Sequence, residues 1–375
     1  MKMRVLQVIR QGEVGGGESH VIDLTLGLRQ RDVVEPIVLA FTDGPMISLL
    51  RDAGVRCFVI ATHRAFDIRV YYKIKELVVH ERVDLVHAHG SRAASNMIAV
   101  CKRLDIPMLY TVHGWSFHQG QSWLAGCLRR LSEKMICSRA CRVICVSQSN
   151  LQTGIEAFGL RREKCTVVEN GVNLSRFNAD ATYPDLRSEL DFKADDFVCA
   201  FICRITAQKG PLDFVEAVIQ AHERNPHIRA LMVGDGDMAT EVHTYIKEHA
   251  CEGCFVHLPF RDDVPALLAA ADLFCLPSLW EGLSIAMLEA MAMRKPVVVT
   301  LTDGARDLIQ DHRNALVVPP SQPSRLAEAI LEASESPELC LRMGQRACAL
   351  VRQRFDAARV ADQVADIYAS VVAKA

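Results

Sequence analysis

Two carboxylates, Glu281 and Glu289, stand eight residues apart in Trp280-Glu-Gly-Leu-Ser-Ile-Ala-Met-Leu-Glu, where an apolar run gives way to a helical pattern. Upstream, 271–278 reads as a short buried strand, and Ile285, Met287, Leu288 and Met291 suit a packed helix, with Gly282 in the turn between them. Strand-to-helix junctions of open α/β sheets are where ligands bind, and a helix N-terminus offers unpaired N–H groups to an anion. The amides of Gly282, Leu283, Ser284 and Ile285 are therefore expected to hold a phosphate. Helical residues eight apart are separated by about 12 Å, so the two carboxylates are expected to reach different parts of one extended ligand. Alone, such a pair would ordinarily be a helix cap and a solvated charge; its surroundings decide.

An earlier loop, Arg204-Ile-Thr-Ala-Gln-Lys209-Gly-Pro, follows a strand-like run and places a guanidinium beside an ammonium. Two such cations suit a diphosphate, one by its planar fork and the other as a point charge, against the simpler reading of surface charge. Near the amino end, Gln11-Gly-Glu-Val-Gly15-Gly16-Gly17 joins a strand pattern to a helical one. Without Cβ atoms, that loop lets a backbone approach a phosphate or sugar, although simple connectors share the composition. Its spacing fits neither the dinucleotide fingerprint nor the P-loop.

Histidines end two strand patterns, His87-Ala-His89-Gly-Ser and Thr111-Val-His113-Gly-Trp. At a strand end His113 can donate a hydrogen bond, polarise a leaving group or act as a base near neutral pH, or merely fasten a loop. His87 and His89 flank one residue and are expected to point to opposite sides of their strand, with structural hydrogen bonds and no shared metal. Asp235-Gly-Asp237 reads as turn chemistry rather than a metal pair. A metal is likewise not assigned to the lone Cys251-Glu-Gly-Cys254 or to Cys137, Cys141 and Cys145.

These groups need a scaffold that brings strand ends together. Strands are expected at 3–9, 35–41, 56–60, 85–89, 108–112, 143–147 and 165–168, with helices at 18–29, 46–53, 68–81 and 93–104 between the earlier ones. The rhythm restarts with strands 197–202, 229–233, 255–258, 271–278, 297–300 and 316–318, and helices at 211–223 and 238–250. Such βα repetition predicts two α/β domains with parallel sheets. The boundaries are 1–172 and 173–355, followed by a terminal helix, 356–375, crossing back onto the first domain. Segment 115–142 sets Phe117, Trp123, Leu124 and Leu128 beside Arg129, Arg130, Lys134, Arg139 and Arg142. It reads either as an amphipathic helix packed on the sheet or as a face for an anionic membrane surface.

Composition excludes several classes. The 375 residues, 50% hydrophobic and 23% charged, exclude disorder and collagen-like structure, and a net charge of −2 gives no signature of a nucleic-acid partner. The amino end lacks a signal-peptide pattern, and apolar runs stay short of a membrane span. The fourteen cysteines sit mostly inside apolar patterns, as reduced core residues would. The expectation is a cytoplasmic protein, with peripheral contact on the inner face of the cytoplasmic membrane as an added reading.

Jointly, several ordered motifs carry a resemblance: Gly15 to Gly17, Thr111-Val-His113-Gly, Val146-Ser147, Glu169-Asn-Gly-Val-Asn173, Arg204 with Lys209-Gly210, Val233-Gly-Asp-Gly236, Pro277-Ser278, Glu281 to Glu289, and Lys295-Pro-Val297. Over nearly its full length the chain resembles the family 4 glycosyltransferases of the GT-B fold. That resemblance implies two Rossmann-like domains with parallel sheets facing across a cleft, a nucleotide-sugar held mainly by the second domain, and an acceptor held mainly by the first. It implies a retaining, metal-independent transfer of a hexose-type sugar, UDP-linked more often than GDP-linked, to a glycan or lipid-linked envelope acceptor. Arg204 and Lys209 would neutralise the leaving diphosphate. Glu289 would bind the ribose, Glu281 the sugar hydroxyls, the amides after Gly282 a phosphate, and the backbone of Arg261 the base. His113 would contact the donor sugar near the reacting carbon, Gly16 and Gly17 would touch the donor, and Gly15, His89 and Trp115 would lie on the acceptor side. The resemblance favours front-face attack, and no covalent nucleophile or cofactor is assigned.

The chain departs from the family pattern at Arg294, at Asp303-Gly-Ala-Arg-Asp307 and at Ala315, which leaves the diphosphate and ribose motifs intact and singles out Arg306 and Asp307 as candidate specificity residues. A nucleotide-sugar epimerase would need no acceptor, and the Arg204, Lys209 and Glu281 to Glu289 set argues against it. A catalytically silent binding subunit would be expected to lose His113, Arg204, Lys209 or Glu281, and all four are present.

Overall fold

The computed structural model describes residues 2–13, 15–118, 120–249 and 251–373. The glycine loop's Val14, the last residue of the expected helix 238–250 and the last two of segment 356–375 lie outside them.

The chain forms two compact units, residues 1–171 with 357–375, and residues 172–356. The first holds seven strands: β1 (Met3–Ile9), β2 (Val34–Ala40), β3 (Arg56–Val59), β4 (Leu85–His89), β5 (Met108–Val112), β6 (Arg142–Cys145) and β7 (Cys165–Val167). Their order is β3-β2-β1-β4-β5-β6-β7, and every pair is parallel. The second unit holds β8 (Phe197–Ile202), β9 (Ile228–Val233), β10 (Phe255–Leu258), β11 (Leu273–Leu276), β12 (Val297–Thr300) and β13 (Leu316–Val318), ordered β10-β9-β8-β11-β12-β13 and again wholly parallel.

Strands covered by helices on both faces must be apolar nearly throughout. That is why β4, β5, β11 and β12 are buried at every position. Helix Pro211–Arg224 shows the complementary pattern, burying Phe214, Val215, Ala217, Val218 and Ala221 against the sheet. Segment 68–81 divides into a 3-10 turn, Ile68–Val70, and helix Tyr71–His80. The final helix, Ala357–Val372, belongs to the first unit, where Val360, Ala361, Val364 and Tyr368 pack with Val5, Leu24, Leu28 and Leu85.

Two expectations need correction. Segment 115–142 is not one amphipathic element: the helix is Trp123–Arg139, and Trp115 lies outside it in the core. Glu281 is likewise outside the helix, which runs only over Ile285–Ala292 from an N-cap at Ser284. Helical rise therefore accounts for about 6 Å of the Glu281 to Glu289 separation rather than 12. None of the fourteen cysteines is in a disulfide.

In the second unit the turn after β9 presses on the loop after β8. Gly234 has φ 140°, and a Cβ there would stand 2.1 Å from the carbonyl oxygen of Cys203. Gly234→Ala is expected to cost about 3 kcal/mol through strain and displacement of that loop, measured as a lower midpoint in denaturant unfolding; an unchanged midpoint would contradict the packing described.

Candidate functional site

In each sheet the strand order reverses once, between β1 and β4 and between β8 and β11. A reversal opens a crevice at the carboxyl ends of the two strands, because their following crossovers leave in opposite directions.

In the second unit the loops after β8 and β11 carry Arg204, Gln208, Lys209, Ser278 and Glu281, and they are sewn together. Leu279 N–H donates to Gln208 O at 2.8 Å, and Gln208 Nε2 donates to Trp280 O at 2.8 Å and to Glu281 Oε2 at 3.3 Å. Ser278 Oγ donates to Glu281 Oε1 at 3.1 Å, and Lys209 Nζ pairs with the same oxygen. Lys209 is buried and the Glu281 side chain is largely withdrawn from solvent, so each charge is held by its partner. Arg204 differs: it is partly exposed, and its guanidinium has no hydrogen-bond or ion-pair partner among the described residues. The open positive charge in this loop is therefore Arg204, while the charge of Lys209 is answered by Glu281.

Ser284 caps the following helix, its Oγ accepting from Met287 N–H at 3.5 Å, and one turn on, Glu289 is partly buried. The turn at Gly282 and Leu283 is backed by the short helix Asp303–Arg306. A Cβ on Gly304 would stand 2.2 Å from Gly282 O and 2.6 Å from Leu283 Cα. The 303–307 segment is thus part of the wall behind that turn. The Arg261 guanidinium is engaged by Asp263 (2.8 and 2.6 Å) and by Glu189 (3.1 Å), leaving its backbone for any ligand. Asp235 accepts from Phe260 N–H at 2.8 Å, which ties the turn after β9 to the loop after β10.

In the first unit Gly15 caps the helix Gly16–Arg29 in extended conformation, and a Cβ on Gly17 would lie 3.8 Å from the His113 ring. Glycine loop and histidine are neighbours. His20, one turn into that helix, meets His113 edge-on at 4.8 Å, and His89 stacks on His113 at 5.4 Å. His87 and His89 do not point to opposite faces. Their rings are 4.1 Å apart, because residues two apart in a strand share a face.

This buried histidine group is hydrogen-bonded outward: His89 to His113 (3.2 Å) and Gln7 (2.8 Å), and His87 to Tyr368 (2.6 Å) and Thr111 (2.7 Å). Among the described residues, two groups place ligand atoms within 4.8 Å of one another, His20 with His89 and His113, and Asp195 with Asp196 and His227. In the first group both ring nitrogens of His89 are already engaged by protein.

Two residues assigned to the acceptor side are withdrawn from solvent. Trp115 is a core side chain, its indole N–H donating to Asn150 O at 2.8 Å, with Phe117 and Phe158 packed beside it. His89 is buried beneath His113 and is placed to act on that residue. Sequence reasoning did not find Gln7, His20, Glu133 or Tyr368. Fully buried Glu133 accepts from Tyr110 (2.8 Å), Ser91 (2.5 Å) and Ser116 N–H (3.3 Å), fastening helix Trp123–Arg139 below the loop after β5. A polar residue inside a buried strand pattern, Gln7 in β1, was the available signal.

The family 4 glycosyltransferase profile matches residues 14–176, and that of group 1 glycosyl transferases matches 183–349. Anabaena Alr3699/HepE, solved in complex with UDP and glucose, superposes with a TM-score of 0.86 at 27% identity, covering 98% of this chain and all of that one. The chain belongs to the GT-B glycosyltransferases. Among curated relatives of this glycosyltransferase, the Escherichia coli UDP-Gal:alpha-D-GlcNAc-diphosphoundecaprenol alpha-1,3-galactosyltransferase is 26% identical over 88% of this chain and 87% of its own length. The putative glycosyltransferase EpsD of Bacillus subtilis is 28% identical over 81% of each. The structure of WaaG, a glycosyltransferase involved in lipopolysaccharide biosynthesis, shares the fold at 16% identity, with a TM-score of 0.78 over 97% of this chain and 99% of that one.

Burial holds the histidines of this glycosyltransferase neutral: His20 is lowered to about 4 and His87 to about 3, while His89 and His113 fall well below the usual range, helped by neighbouring imidazoles. A folded pKa below the unfolded 6.5 means that the unfolded chain takes up protons first. Stability is then full above pH 6.5 and is lost as pH falls from 6.5 towards 4 and 3. The melting temperature is expected to drop by on the order of 5–10 °C between pH 7.5 and 5.5, followed by circular dichroism. A flat profile would show that the imidazoles are not buried as neutral groups.

Proposed function

We propose that the protein transfers a hexose-type sugar from a UDP-sugar to a glycan or lipid-linked envelope acceptor, with retention of anomeric configuration. The observation that carries this is the open Arg204 guanidinium at the switch point of the second sheet, next to the Lys209 and Glu281 pair. Support for UDP comes from HepE, solved with UDP and glucose, and from the Escherichia coli relative named for UDP-Gal and a diphosphoundecaprenol-linked sugar.

On this reading Arg204 meets the diphosphate first. Glu281 turns to the sugar hydroxyls, which frees the Lys209 ammonium to join Arg204 on the leaving group as the glycosidic bond breaks. The two cations supply the charge that a metal would otherwise provide, so the reading uses no metal. Glu289 binds the ribose, the amides from Gly282 to Ile285 take a phosphate, and the backbone of Arg261 meets the base. Gly16 and Gly17 line the donor, with Gly15 on the acceptor side. His113 contacts the sugar near its reacting carbon. The acceptor attacks from the side the diphosphate leaves, whose oxygen takes its proton. Arg306 and Asp307, in the wall behind the Gly282 turn, tune the choice of sugar.

With UDP near 100 times its Kd, the melting temperature is expected to rise by roughly 5 °C, with GDP and ADP giving less. Glu289→Ala and Arg204→Ala should each abolish the shift, and Arg204→Ala should lower kcat by about 10²-fold or more. A wild-type shift with none of the three nucleotides, or one retained in both variants, would remove the donor-site assignment.

We further infer that the enzyme works at the inner face of the cytoplasmic membrane. Helix Trp123–Arg139 buries Gly126, Glu133, Ile136 and Cys137 and turns Leu124, Leu128, Leu131 and Met135 to solvent on its opposite side. Trp123 is 76% exposed at its start, and exposed Arg130, Lys134 and Arg139 flank the stripe. An apolar stripe between cations suits anionic headgroups. Among the described residues no helix is long and apolar enough to cross a membrane, so contact would be peripheral. Sedimentation with phosphatidylglycerol vesicles at low salt should carry most of the protein down, and Leu128→Glu with Leu131→Glu should leave it in the supernatant. Equal sedimentation of both proteins would refute this contact.

A further inference from the structure

The polar groups buried between β1, β4, β5 and the final helix form one unbroken hydrogen-bonded chain, and its proton directions can be followed. Gln7 Nε2 donates to the Tyr368 hydroxyl at 2.8 Å, so Gln7 Oε1 is the acceptor for His89 Nε2, also at 2.8 Å. A neutral imidazole carries a single N–H. With that hydrogen given to Gln7, His89 presents a bare Nδ1 to His113 Nε2 at 3.2 Å, and the hydrogen of this contact must come from His113. In the other direction Tyr368, having accepted from Gln7, donates to His87 Nδ1 at 2.6 Å, and His87 Nε2–H donates to Thr111 Oγ1 at 2.7 Å. Each contact in the chain then pairs one donor with one acceptor. One ring nitrogen of the chain is left over: His113 Nδ1 is buried and has no hydrogen-bond partner.

We infer that Gln7, His89 and Tyr368 are positioning residues that fix His113 as its Nε2–H tautomer, so that Nδ1 is offered as an acceptor to a hydroxyl of the sugar substrate. This rests on the reading of His113 as the residue that meets the donor sugar. Burial keeps the imidazoles neutral, which the single-proton bookkeeping requires. A buried acceptor without a donor is costly, and a substrate hydroxyl at Nδ1 would remove that cost. Gln7 sets the direction, since turning its amide over reverses every bond and makes Nδ1 a donor. Tyr368 is fully buried on helix Ala357–Val372, so an element distant in sequence fixes the proton on His113.

The test is long-range 1H–15N correlation on the full chain labelled at histidine, at pH 7.5, with the His113 signals assigned by their loss in His113→Gln. Wild type is expected to show His113 protonated at Nε2 with a bare Nδ1. Tyr368→Phe keeps the ring that packs in the core, and Gln7→Met gives an independent route should that variant melt early. Each should give mixed His113 tautomers and lower kcat about tenfold, the worth of one hydrogen bond, with a smaller change in donor KM. A His113 protonated at Nδ1 in wild type, or a single unchanged tautomer in both variants, overturns the relay. If the tautomer behaves as expected but His113→Gln keeps full kcat, the relay stands and the sugar contact falls.

Discussion

A sheet whose strands all run the same way must place all their carboxyl ends along one edge, and each crossover must then return behind a helix. That constraint governs both units, where every strand pair is parallel. One reversal in each strand order then selects two neighbouring loops as the place where crossovers diverge. In the first unit those loops start with the glycine run and with His89-Gly-Ser; in the second they carry Arg204 to Lys209 and Ser278 to Glu281. The glycine run, Arg204, Lys209 and Glu281 lie in these four loops, where topology leaves room, and His113 comes from the loop after β5, beside the glycine run.

The two units handle buried polarity differently. The second buries charge, with Lys209 and Glu281 compensating one another and Gln208 and Ser278 satisfying the remaining carboxylate valences. Removing one partner of such a pair leaves an uncompensated charge, so substitutions at Lys209 or Glu281 report on stability as well as chemistry. The first unit buries neutral imidazoles, which cost less to desolvate, and pays for them with a hydrogen-bonded network. Its histidines are held by hydrogen bonds between neutral groups, whereas the loops after β8 and β11 are held by charge balance.

Much of the sheet was legible in the sequence because doubly covered strands are apolar runs of a length that helices rarely match. β1, β4 and β5 fall at the expected residues. Helix Gln148–Phe158 escaped notice because Gln148-Ser-Asn-Leu-Gln-Thr-Gly shows no apolar period; only Asn150, Leu151 and Gly154 are buried, and Gly154 is glycine because Trp115 fills the space of its side chain. Arg204, Lys209 and Glu281 could be singled out since charged residues following apolar strands are conspicuous. Their mutual pairing could not, because it depends on how two loops 72 residues apart are sewn together. His20 and Tyr368 look like ordinary helical residues until packing sets them beside β1 and β4. The two-residue spacing of His87 and His89 did contain the right answer, a shared face, and the period of the strand was misapplied to it.

The final helix carries a consequence for how the protein is made. Strands β1 to β7 leave the ribosome first, but Val360, Ala361, Val364 and Tyr368, which cover Val5, Leu24, Leu28 and Leu85, are translated only after the whole second unit. Until then that side of the nascent first unit is an uncovered apolar groove, with Gln7 and His87 lacking the hydroxyl that satisfies them. At ordinary elongation rates of about 5–20 residues per second, the interval lasts on the order of ten seconds or more. The amino-terminal sheet therefore cannot complete its core until the final helix is made, and a chain that stops before residue 357 leaves that groove uncovered.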